Sequence, residues 1–161
     1  MARSSARARS AHGSACRRSK PSTAARRWLR ASTRRRSRSS LSGRVHEIVI
    51  LTVGAALESD YELYAHTRVG RLNGLSEHEI EAVTAMQAPD FPSQEEASAY
   101  EFTRELVCKH RIDSDTYAAA ERAFGPKGLV DIVLLIGLYL ATCSIINAFE
   151  VPVPQGVARS R

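Results

Sequence analysis

The chain predicts an all-α fold of about five or six helices, behind an N-terminal stretch that does not fold. Three observations carry this. From Arg44 onward, apolar residues recur at helical spacing. Two serines, Ser76 and Ser93, stand three residues before a glutamate, Glu79 and Glu96, which is the signature of a helix start. After residue 60 no short apolar runs alternate with turn residues, as a sheet would need.

The elements follow in order. VHEIVILTVGAALES is dense enough in apolar residues for a buried helix, although its β-branched run Ile48–Ile50 would also suit a strand. Ser59 and Asp60 are placed to break it and cap the next segment. DYELYAHTRVGRLNG predicts a second helix with Gly74 as its stop. LSEHEIEAVTAM opens with the Ser76 capping box, and APDFP is a loop closed by two prolines. SQEEASAYEFTRELVCKH repeats the box and carries Ala99, Phe102, Leu106 and Val107 down one face, with His110 near its negative end. DSDTYAAAERAFG is a further helix ending at Gly125. The last helix runs from about Gly128 to Phe149, with Asp131 capping its start, and EVPVP stops it.

The last helix carries no charge from Ile132 to Phe149, close to the length of a membrane span. Its Gly137, Thr142, Ser144 and Asn147 favour a helix buried in a bundle or an oligomer interface over a transmembrane one.

The net charge of +6 averages two unlike pieces. Residues 1–43 hold 13 Arg and Lys and no acid, leaving 10 basic and 17 acidic residues, a net of −7, for the rest. The basic stretch lacks periodicity, and its only large apolar residues are Met1, Trp28, Leu29 and Leu41, too few to offset the entropy of ordering it. It could be a basic arm for nucleic acid, an Arg- and Ser-rich organellar transit peptide, or a leader foreign to the fold. With Trp28 alone available to stack on bases, nucleic acid is the weakest of the three. No apolar secretory core follows the charges. The expected layout is a tail over 1–43, a domain over 44–154, and a short tail over 155–161.

Cys16, Cys108 and Cys143 are widely spaced, without a CxxC or a zinc-finger pairing with His. That argues against a disulfide framework or a structural metal, and it suits a reducing, cytoplasmic setting. Cys108 and Cys143 lie in apolar stretches and are expected to be inert core thiols.

Candidate chemistry centres on Glu47, Glu62 and His66. Glu62 and His66 are i, i+4 on one helix and share a face. On its own, such a pair is more often a solvated helix face than a site.

In order along the chain, RVHEIVILTVGA, DYELYAH, LNGLSEHEIEAV, YEFTRELVCKHRI, TYAAAERAFG, GLVDIVLLIGLY and NAFEVPVP resemble the carboxymuconolactone decarboxylase branch of the alkylhydroperoxidase D-like superfamily. The likeness covers Arg44 to Pro154. In the peroxidase branch a glutamate is followed 12, 15 and 19 residues later by Cys, Cys and His. Counting from Glu47, those places hold Ser59, Glu62 and His66. Both thiols are replaced, so the resemblance is to the branch without the CxxC, and dithiol peroxidase chemistry is disfavoured. Members of the family carry helices before the equivalent of Arg44. This favours reading residues 1–43 as a foreign leader.

The resemblance implies a cofactor-free and metal-free decarboxylase. It would act on 4-carboxymuconolactone, or a similar unsaturated lactone or keto acid, in aromatic catabolism. His66 would be the general acid, with Glu47 and Glu62 orienting it or sharing its proton. Arg44, His46 and Arg68 are candidates to bind substrate carboxylates, although a solvated or intersubunit charge suits Arg44 and Arg68 better. Tyr61 and Tyr64 flank the site in sequence, and at least one should be core packing. The partners implied are a small-molecule substrate and further copies of the chain, with no membrane, and nucleic acid only through the tail. The competing classes are a scaffold protein without catalysis and a peroxidase-type antioxidant enzyme.

Overall fold

The computed structural model describes residues 39–154, so the expectations for residues 1–38 and 155–161 fall outside the described residues. Within them the chain forms five helices: α1 (Gly43–Ala56), α2 (Asp60–Leu72), α3 (Glu77–Thr84), α4 (Gln94–Lys109) and α5 (Ser114–Ala148). Among the described residues there is no strand.

α1 is the centre of the bundle and touches the other four helices. Every residue from Val45 to Gly54 is buried, so the Ile48–Ile50 run that would also suit a strand lies in a helix surrounded on all sides. Val45, Val49, Ile50 and Val53 face Ala99 and Phe102 of α4 and Leu129, Ile132, Ile136 and Cys143 of α5. Ile48 and Leu51 face Leu75, Ile80, Val83 and Tyr100 in a second apolar cluster.

The fold reaches back past the boundary that composition suggests. Leu41 is buried in the core. Ser42 is the N-cap of α1, its hydroxyl accepting from the Val45 N–H at 3.2 Å. The Ser40 N–H and hydroxyl donate to Asp131 at 2.9 and 2.8 Å. Asp131 therefore does not cap the last helix. It lies inside α5 and ties the entry to α1 against it.

Local signals decide most helix starts. At α3 both halves of the Ser76–Glu79 capping box form. At α4 only one half does: Ser93 accepts from the Glu96 N–H at 3.2 Å, while the Glu96 carboxylate turns to Arg44. Ser59 holds the N-cap position of α2 but makes no capping bond. Its buried hydroxyl instead lies against the Cys143 thiol.

Gly74 stops α2 as expected. At φ +87 it closes a Schellman turn, with the Leu75 N–H on the Gly70 carbonyl and its own N–H on that of Arg71. The two helices expected on either side of Gly125 appear as one long element with a kink. Gly125 has φ 64 and ψ 175, a conformation open in practice to glycine alone. Pro126 then opens the second arm, where a missing N–H costs nothing.

The second arm of α5 is apolar and long enough, with the first, to pass as a membrane span by length and composition. One face, through Leu129, Ile132, Ile136, Tyr139, Cys143 and Ile146, is buried. Val130, Val133 and Leu134 on the other are exposed. The expectation of a wholly buried last helix thus holds for one face.

Candidate active site

Two consecutive helices and the far arm of α5 converge on the His66 imidazole. α1 contributes Glu47, fully buried, because its entire middle is enclosed by other helices. α2 contributes Glu62 and His66 one turn apart, on the side that meets α1 and α5. The ring bridges the two carboxylates: Nδ1 lies 2.7 Å from Glu47 Oε2 and Nε2 lies 3.0 Å from Glu62 Oε1. The Glu62 side chain is 6% exposed and that of His66 14%.

The electrostatics follow from these distances. Burial alone would make the imidazole a stronger acid, but the hydrogen bonds to Glu47 and then Glu62 outweigh it and push His66 up to about 9. The ring is therefore an imidazolium at neutral pH, held between two acidic side chains in a poorly solvated place.

Residue prediction from the sequence missed one member of this group. The Tyr139 hydroxyl of α5 is 3.3 Å from His66 Nε2, and the two rings meet edge to face with centroids 5.2 Å apart. Tyr139 is buried. The local signal was weak: one phenol in the charge-free stretch after Asp131, 73 residues from its partner. Tyr61 and Tyr64, nearer in sequence, are half-buried and take no part in either apolar cluster.

The three expected carboxylate binders sit differently. Arg44 is committed within the protein. Its Nε lies 2.6 Å from Glu96, its Nη2 lies 2.5 Å from Glu79, and its Nη1 donates to the Gly74 carbonyl. Both carboxylates are buried. One Glu79 oxygen takes Arg44 and the other closes the Ser76 capping box at 2.7 Å, so a single cation ties the starts of α1, α3 and α4 together. Burial would raise Glu79, yet the bonds from Ser76 and Arg44 hold it below the usual carboxylate range. Arg44 is thus an internal clamp, because two acids 35 and 52 residues away in sequence reach it in the fold. His46 is buried, its Nδ1 3.3 Å from the Ser42 carbonyl. Arg68 is exposed on α2.

The thiols differ from one another. Cys143 is buried and lies beside Ser59. Burial, and then the Glu62 charge, push its thiol up to about 12. Cys108 is exposed, which corrects the expectation of a core thiol: α4 turns that position to solvent one residue before its end. Among the described residues no group of three or more His, Cys, Asp or Glu side chains is arranged to hold a metal ion. The His66 nitrogens meet their carboxylates at direct hydrogen-bond distance, without space for an ion between.

A family model described as the carboxymuconolactone decarboxylase family matches residues 23–105, just over half of the chain. That match begins within the basic stretch and takes in Glu47, Glu62 and His66. No curated protein matches. Among solved structures, the chain is similar to a protein of unknown function from Agrobacterium tumefaciens, described provisionally as the antioxidant defence protein AhpD. The TM-score is 0.69 at 16% identity, over 81% of this chain and 88% of that one. At that identity the likeness is one of fold, and the shared fold is the AhpD-like helical bundle.

Proposed function

Because this chain belongs to the carboxymuconolactone decarboxylase family, we propose that it is a cofactor-free carboxy-lyase acting on 4-carboxymuconolactone or a similar unsaturated lactone or keto acid. One observation carries the reading. An imidazolium is clamped between two buried glutamates, and it stays protonated at neutral pH.

The chemistry needs little more. The departing carboxylate of such a substrate sits on a carbon next to a C=C conjugated with the lactone C=O. When CO2 leaves, its bonding electrons move through that double bond onto the lactone oxygen, so the substrate is its own electron sink. A poorly solvated pocket favours loss of the charged group. A nearby cation steadies the dienolate as its charge develops. His66 supplies both the positive charge and the proton that returns to carbon. Glu47, on Nδ1, fixes the ring and keeps its second proton in place, which leaves Nε2 as the donor.

The test is a spectrophotometric assay of the full chain with 4-carboxymuconolactone. Enol-lactone formation is expected, with a loss on the order of a hundredfold or more in His66→Ala. Full activity in that variant would overturn the assignment of His66.

A second reading, peroxide reduction, is favoured only by the description of the Agrobacterium relative. Opposing it, Ser59 and Glu62 stand where the peroxidase branch has thiols. The buried Cys143 thiol, at about 12, is a poor nucleophile at neutral pH. Peroxidase turnover that survives replacement of all three cysteines would refute this thiol argument. We also propose that a second copy of the chain covers the exposed apolar face of α5, where Val130, Val133 and Leu134 lead into the charge-free stretch that follows Asp131. We propose a cytoplasmic setting on the free thiols of Cys108 and Cys143 among the described residues.

A further inference from the structure

We propose that Tyr139 is the positioning residue that stabilises the neutral form of His66 after it has given up its Nε2 proton, and so sets how strong an acid the imidazole is. The argument rests on what surrounds that nitrogen. Among the described residues, Nε2 has two oxygens within reach, Glu62 Oε1 at 3.0 Å and the Tyr139 hydroxyl at 3.3 Å. A carboxylate can only accept. While Nε2 carries its proton, Glu62 is the natural partner. Once the proton has gone, a nitrogen lone pair faces a carboxylate oxygen, which is repulsive. The phenol is the neighbour that can answer this, because its O–H can donate into the lone pair.

Position supports the role. Tyr139 lies on the buried face of α5, and its edge-to-face contact with the imidazole fixes the angle between the rings. Among the described residues, the other titratable groups facing the site are Glu47 from α1, Glu62 from the same helix as His66, and Cys143 one turn beyond Tyr139, whose thiol feels the Glu62 charge. Glu47 holds Nδ1–H in both states of the ring, and Cys143 stays a neutral thiol at neutral pH. Neither replaces the donor that Tyr139 offers to Nε2.

The proton count closes. The Nε2 proton moves to the substrate carbon, Nδ1 keeps its proton toward Glu47, and Tyr139 donates a hydrogen bond without losing its own proton. Solvent then returns a proton to Nε2. The phenol favours the neutral ring, so it opposes the two glutamates, which favour the charged one. Without this opposition His66 would hold its proton too tightly to deliver it well.

The inference rests on the reading of His66 as proton donor, and the experiment separates the two. Tyr139→Phe keeps the ring contact and removes the donor. In the full-length protein, the His66 titration is followed by imidazole 15N and 13C NMR, alongside the pH–rate profile with 4-carboxymuconolactone. The expected result is that His66 becomes roughly fivefold weaker as an acid, the net worth of one neutral hydrogen bond. The high-pH limb of kcat should move up with it, with KM little changed. An unmoved His66 titration in a folded Tyr139→Phe protein would overturn the proposal, whatever the kinetics. A moved titration with no turnover in either protein would uphold Tyr139 and count against the decarboxylase reading. Should the variant not fold, the wild-type 15N shift of neutral Nε2 decides. A hydrogen-bonded nitrogen supports the proposal, and the shift of a free pyridine-type nitrogen overturns it.

Discussion

Raising the pH from 6 to 10 should remove a large part of this domain's stability, and His66 should account for it. The folded protein binds the His66 proton more tightly than the unfolded chain does, at about 9 against 6.5. Below 6.5 the ring is charged in both states and the stabilisation is fully present. It fades as the pH rises through 9, because the folded state then loses the proton that its two glutamates hold. A difference of that size corresponds to roughly 3 kcal/mol at about 1.4 kcal/mol per decade of acid strength. Since the ring is largely buried, solvent screening removes little of it. Against a typical total of about 5–15 kcal/mol, this is a large share. The assay is urea unfolding followed by far-ultraviolet circular dichroism at pH 6, 7.5, 9 and 10. It compares the wild type with His66→Gln at one protein concentration, so that any subunit association cancels. The wild type's advantage should be greatest at pH 6 and shrink by roughly 3 kcal/mol toward pH 10. An advantage that stays constant across the range would refute the reasoning.

Arg44→Ala should destabilise the fold by about 3–5 kcal/mol, because it leaves the buried Glu79 and Glu96 carboxylates without their cation. Urea unfolding measures it, and unchanged stability with a raised KM would return Arg44 to the substrate. Lysine at that position should rescue only part of the loss, as it lacks the planar fork that serves three acceptors. Gly125→Ala should cost about 1–3 kcal/mol in a thermal melt, since a Cβ strains a residue at φ 64 and ψ 175 even though open space surrounds it. Leu134→Glu should lower the mass seen by light scattering after size exclusion, with helicity unchanged. An unchanged mass would remove the last helix from any subunit interface.

Much of the architecture was legible because it depends on short-range chemistry. The Ser76–Glu79 box and the Gly74 stop are written within a few residues of the turns that they make. At other ends the cap itself was not marked, although Ser59–Asp60 and EVPVP flagged the stops of α1 and α5. Glu58, Met86, His110 and Glu150 follow helix ends in the left-handed conformation without being glycine, so no composition signal announced them. Backbone hydrogen bonds onto the last helical turn, such as the Glu58 N–H to the Ala55 carbonyl and the Ser59 N–H to the Gly54 carbonyl, hold these residues in a conformation that their side chains disfavour. Similarly, Glu96 has the spacing of a capping box, but a cation from α1 outcompetes the backbone for its carboxylate.

What the sequence determined by itself was the helices and the pairing of Glu62 with His66, because one turn of helix puts those side chains on the same face wherever the helix lies. It also marked Glu47 through a family resemblance, without a physical reason for that residue to face the imidazole. Only the tertiary structure decided that α1 runs through the middle of the bundle, that Glu47 meets Nδ1, and that Tyr139 arrives at Nε2 from α5. These contacts depend on the angle and register at which whole helices pack. Those are set by many apolar side chains acting together, and no local pattern records them.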